Sequence, residues 1–117
     1  MTTRKTKQEM RPPDEDTECC IAFCYRQLAA DKRSRTERDA WQHAGNYLRN
    51  ERDLEDWEKV PKLARTKVCY RLYSHADKWS AKQDGAQSSG LLLAAERHGR
   101  MHDAFMEAGN KLSPSRR

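Results

Sequence analysis

At 117 residues, with 36% hydrophobic and 35% charged side chains, the chain is the size of one domain with a modest core. Its 23 lysines and arginines exceed 18 acids by a formal net charge of +5, with a pI near 9.2 and a mean hydropathy of −1.15; such an excess favours a polyanionic partner only where the cations cluster. No apolar run approaches the roughly 18 residues that span a bilayer, and the opening "MTTRKTKQEMRPPDEDTE" has no apolar h-region, so the expectation is a cytoplasmic protein with no membrane partner and its four cysteines reduced.

Residues 1–13 carry Arg4, Lys5, Lys7 and Arg11 ahead of Pro12-Pro13, the composition of a flexible basic arm. The first helix is predicted over about 17–32. Asp14, Glu15, Asp16 and Glu18 surround its start, where the helix dipole favours anions, and Cys20, Ile21, Phe23, Cys24, Tyr25 and Leu28 form one apolar face. Ser34 followed by Glu37 fits a capping box and opens a second helix with Ala40, Trp41, Ala44, Tyr47 and Leu48 inward. The acidic connection "ERDLEDWEKV" follows, with Leu54 and Trp57 anchoring a single turn.

Pro61 suits the first position of a third helix, predicted to reach about Lys82 with Val68, Leu72, Ala76 and Trp79 on one side. "DGAQSSG" is expected to break the chain. Its glycine spacing resembles the opening of a phosphate loop, but Leu91-Leu92 stand where lysine and a hydroxyl residue are required, so it reads as a capping turn. A last helix is predicted over about 89–108, stopped by Gly109-Asn110. Strand patterns are lacking, and no internal repeat stands out. The expected fold is an all-α, four-helix bundle-like domain over 14–110 with a loose tail over 111–117.

The third helix holds the leading functional feature. Lys67, Arg71, Ser74, Lys78 and Lys82 fall within an arc of about 80°, with Tyr70 on one border and His75 on the other. From Lys59 to Lys82 there are also Lys62 and Arg65, and the one acid is Asp77. Cations at helical pitch suit a phosphate backbone, because each neutralised phosphate releases counterions, and Tyr70 could stack on an unpaired base. Arg4, Lys5 and Lys7 would add contacts. The competing reading is a plain solvated face, or one neutralised by Glu51, Asp53, Glu55, Asp56 and Glu58.

His98 and His102, four apart, are weak metal candidates. Gly99 stands where a metalloprotease glutamate belongs, and a structural role in the bundle is the stronger expectation. Trp57, Leu92 and Leu93 are candidate anchors for a protein partner, since tryptophan is frequent at interface hot spots and Leu92 and Leu93 cannot share the core side with Leu91. The pattern carries no catalytic signature and calls for no cofactor. Two functions therefore compete: a non-enzymatic nucleic-acid-associated accessory protein, in its fullest form a small subunit of a nucleoprotein assembly, or a helical protein-binding adaptor or inhibitor acting on an acidic protein surface; a homo- or hetero-oligomer is compatible with either.

Overall fold

The computed structural model describes residues 15–29 and 34–113; Arg4, Lys5, Lys7 and the tail from Pro114 lie outside them. The described chain is helical without strands: α1 (Glu15–Arg26) closing in a 3-10 turn (Gln27–Ala29), α2 (Arg35–Arg49), a second 3-10 turn (Glu51–Asp53), α3 (Leu54–Lys59), α4 (Lys62–Ser88) and α5 (Leu92–Leu112). The all-α bundle expected from the periodicities is what forms.

Local signals explain most boundaries. Glu15, Asp16 and Glu18 occupy the first turn of α1, complementing the dipole. The Ser34 hydroxyl accepts the Glu37 N–H at 3.2 Å and starts α2. Asn50 ends α2, and its side chain accepts the Arg52 N–H at 3.1 Å to start the next turn. Pro61 sits one residue before the first helical position of α4, its carbonyl taking the Arg65 N–H at 3.0 Å.

Three predicted ends move. Helix α1 stops at Arg26 and tightens into its 3-10 turn instead of running to about 32. Helix α4 runs through Gly85 to Ser88 instead of stopping near Lys82. An interior glycine weakens a helix by only about 1 kcal/mol, and burial of Ala86 in the closely packed α4–α5 hairpin outweighs that. The true stop is Gly90, at φ 75°: Leu91 N–H donates to the Ala86 carbonyl at 2.8 Å and Gly90 N–H to that of Gln87 at 3.1 Å, a Schellman cap. Helix α5, in turn, passes through Gly109-Asn110 to Leu112. Gly109 is no terminator because it is buried in a helix contact: a Cβ there would lie 2.5 Å from Tyr73 Cε1.

The four long helices pack in a ring, α1 on α2, α2 on α4, α4 on α5 and α5 on α1. Ile21, Trp41, Leu72 and Phe105 meet in the interior, each worth roughly 1.5–3 kcal/mol in apolar burial. The short α3 packs on α2 and places Trp57, 1% exposed, where its Nε1–H donates to the Leu112 carbonyl at 3.1 Å. One of the orphan carbonyls at the end of α5 is thereby satisfied.

The ring reveals an internal repeat that the linear pattern conceals. "DAWQHAGNYL" in α2 (39–48) and "DAFMEAGNKL" in α5 (103–112) share Asp, both Ala, Gly, Asn and Leu, with Trp41 and Phe105 as the matching core aromatics. Each Gly-Asn pair receives a tyrosine from the preceding long helix. Tyr25 lies over Gly45 and donates to Asn46 Oδ1 at 2.6 Å; Tyr73 lies over Gly109 and donates to Asn110 Oδ1 at 2.7 Å. Cys20, Ile21 and Cys24 of α1 then match Val68, Cys69 and Leu72 of α4, all buried. The molecule is one helical hairpin built twice. Exchanging the two hairpins maps the α2–α4 contact onto the α5–α1 contact. The second hairpin is longer: 35 residues separate Tyr73 from Gly109, against 19 between Tyr25 and Gly45.

Candidate nucleic-acid interface

Helix α4 positions the basic residues. Val68, Leu72 and Ala76 turn inward and are buried, which directs Lys67, Arg71, Lys78 and Lys82 outward, where all four are exposed. At the helical rise, the row from Lys67 to Lys82 is about 22 Å long. Tyr70, 73% exposed, stands beside it, and Leu63 is exposed one heptad earlier on the same edge.

The acidic connection does not cover this row. Glu51 reaches Lys111 at 3.1 Å and Glu55 reaches Lys59 at 3.9 Å, while Glu18 pairs with Arg49 at 3.5 Å and Glu15 with Arg97 at 3.8 Å. Among the described residues no carboxylate comes within ion-pair distance of Lys67, Arg71, Lys78 or Lys82. Geometry explains this: α3 folds toward the end of α5, carrying its carboxylates to a different corner. Lys82 is steadied by an aromatic face, its Nζ 4.3 Å from the Trp79 ring centroid, a cation–π contact.

Behind the row lies an aromatic seam. The His75 ring sits 4.4 Å from Phe23 and 4.6 Å from Phe105, with Trp79 at 6.3 Å. Its pKa is lowered from the ordinary 6.5, first by burial and then by the charges of Lys78, Lys82 and Arg26. His98 lies 5.4 Å from Trp79 in the same seam, whereas His102 Nδ1 contacts Asp103 Oδ1 at 3.1 Å. The two imidazoles thus have different neighbours, and among the described residues no group of three or more His, Cys, Asp or Glu is placed to hold a metal ion.

Two grooves flank the bundle at positions related by the repeat. Between α2 and α4, Ala40, Trp41, Ala64 and Val68 form the floor of a groove of about 540 Å³, rimmed by Lys67, Tyr70, Arg71, Ser74 and Glu37. Between α5 and α1, a groove of about 280 Å³ is floored by Cys20, Ala104 and Ala108 and rimmed by Asp16, Arg100, Asp103, Glu107 and Lys111. Ala40 corresponds to Ala104 and Val68 to Cys20, so the two grooves share part of their floor, whereas Ala64 corresponds to Asp16 and the rims differ in charge. Sequence reading missed both grooves. Their small floor residues were visible, but which helices face each other was not.

The candidate protein anchors separate. Leu92 and Leu93 are 70% and 84% exposed at the hairpin tip, with Leu91 also exposed. Trp57 is corrected: its indole is a core pin and presents nothing to a partner. No described helix is long and apolar enough to cross a membrane. Comparison with protein-family models, curated proteins and solved structures returns no match, so the chain's own residues carry the functional reading.

Proposed function

We propose that the protein is a non-enzymatic nucleic-acid-binding accessory factor in which Lys67, Arg71, Lys78 and Lys82 neutralise phosphates along one strand backbone. The observation that carries this reading is the exposed row of cations on α4, unmatched by any carboxylate among the described residues. Lysine and arginine heads held by one rigid helix lose little further backbone freedom on binding, so the entropy of released counterions is retained as affinity. Arg4, Lys5 and Lys7 of the N-terminal segment add phosphate contacts in this reading.

Fluorescence anisotropy with labelled nucleic acid over a salt series tests it. Four phosphate contacts predict a log–log slope of about −3 to −4. The Lys67→Glu, Arg71→Glu, Lys78→Glu, Lys82→Glu variant should lose nearly all binding. A variant that binds as tightly as the wild type, or a slope near zero, refutes the proposal.

A second reading has one observation in its favour. Leu91, Leu92 and Leu93 are consecutive and therefore point around the helix end rather than along one side, a shape suited to end-on insertion into a pocket. An adaptor of this kind would dock its tip and use the α4 cations to steer toward an acidic surface. Binding to such a protein would then survive high salt yet fail in a Leu92→Ser, Leu93→Ser variant, the reverse of the phosphate-led pattern.

A further inference from the structure

We infer that the groove between α2 and α4 is a nucleobase subsite, which makes the preferred ligand a single strand with unpaired bases rather than a duplex. The inference rests on the phosphate-binding role of the α4 row and adds a ligand class to it.

The internal repeat supplies the comparison that isolates the feature. Positions required by the fold recur in both hairpins, as with Tyr25 and Tyr73 over their glycines and Ala40 and Ala104 in the groove floors. The α2–α4 rim does not follow this rule. Lys67 occupies the position of Cys19 and Tyr70 that of Ala22, and all four residues are exposed. The first hairpin completes its packing with neither a cation nor a ring there, so Lys67 and Tyr70 are free of a folding role.

What they surround has the chemistry of one nucleotide. The floor, formed by Ala40, Trp41, Ala64 and Val68, is apolar. Tyr70 offers an exposed phenol for stacking, which is sequence-tolerant because every base has a π-face. Lys67 lies three residues before Tyr70 and Arg71 one after, so both cations stand within about 5 Å of Tyr70 along the helix axis, close enough to hold the phosphate of a base that enters the groove. The volume of about 540 Å³ is in the range of small-ligand sites. Glu37 is the one carboxylate among the lining residues. The equivalent α5–α1 groove is smaller and mixed in charge, with Asp16, Asp103 and Glu107 beside Arg100 and Lys111, and no aromatic side chain lines it. A duplex keeps its bases stacked and paired and presents only their edges in its grooves, so no base face is free to stack on Tyr70 or to enter the groove.

The test compares a labelled oligothymidylate with the duplex it forms with oligoadenylate, at equal length and salt, against wild type, Tyr70→Ala and Tyr70→Phe. The expected result is single-strand binding about tenfold or more tighter than duplex binding. Tyr70→Ala should weaken the single strand by about tenfold and leave the duplex unchanged, and Tyr70→Phe should restore the preference. Equal affinity for both forms, or equal weakening of both by Tyr70→Ala, overturns the base subsite while leaving the phosphate row intact. If neither form binds, the phosphate reading itself fails and the subsite with it.

Discussion

Alanine at Gly109 brings a methyl group to 2.5 Å from Tyr73 Cε1, a separation that requires the ring to move. The ring is not free to do so, because its hydroxyl is tied to Asn110 Oδ1 at 2.7 Å. Three terms decide the outcome. Helix propensity favours alanine by about 1 kcal/mol. Overpacking opposes it by about 1–3 kcal/mol, and release of the hydrogen bond adds roughly 0.5–1.5 kcal/mol. The net expectation is a loss of about 0.5–3.5 kcal/mol, read as a fall in Tm of roughly 2–14 °C for a domain of this size. Gly45→Ala should cost a similar amount, since its Cβ would lie 2.7 Å from Tyr25 Cε1. Gly85 provides the control, with nothing within 4 Å of a Cβ placed there; Gly85→Ala should stabilise by up to about 1 kcal/mol. Circular dichroism melts of the three variants suffice. If Gly109→Ala raises Tm as Gly85→Ala does, the ring-on-glycine contact and the repeat built on it are wrong.

Four further outcomes follow from the same geometry. Because burial and the charges of Lys78, Lys82 and Arg26 lower the folded-state pKa of His75, the unfolded chain binds this proton more readily; stability should hold above about pH 6.5 and decline as pH falls toward the folded-state value, and His75→Gln should flatten that decline in urea titrations. A phosphate seated on Lys78 and Lys82 should raise the His75 pKa, visible as a shifted NMR titration, and an unmoved titration at saturating ligand would place the phosphate elsewhere. Trp57→Phe leaves the Leu112 carbonyl without its donor and should destabilise by about 1–3 kcal/mol with nucleic-acid affinity unchanged; a variant as stable as wild type would show the indole bond to be dispensable. Thiol labelling should modify exposed Cys19 first and reach Cys20, Cys24 and Cys69 only on unfolding, since burial raises the Cys24 pKa and pushes Cys69 up to about 11; rapid labelling of the buried set under native conditions would contradict the core.

Much of the fold was legible before any coordinates, because helix formation depends on short-range order. Ser34 announced α2, the acids at 15–18 announced α1, and the apolar spacing of Val68, Leu72 and Ala76 oriented α4 so that its cations face outward. What was misread shares one cause. Gly85, Gly109 and Asn110 look like stops to a local rule, yet Gly85 is carried by the helix pairing around it and Gly109 is the seat of Tyr73. Trp57 looks like an anchor until α3 folds it under the end of α5. Likewise the repeat escaped notice because the long tip of the second hairpin puts its two helices out of register with the first.

The division is physical. Residue periodicity and capping chemistry act over a few positions, so the sequence alone determined that this chain forms helices and that one of them bears a row of cations. Only tertiary packing decided which helices adjoin, and therefore that the acidic connection turns away from that row and that Ala40 and Ala64 open a groove beside Tyr70. Such contacts join residues far apart in the chain, and no local pattern encodes their distance.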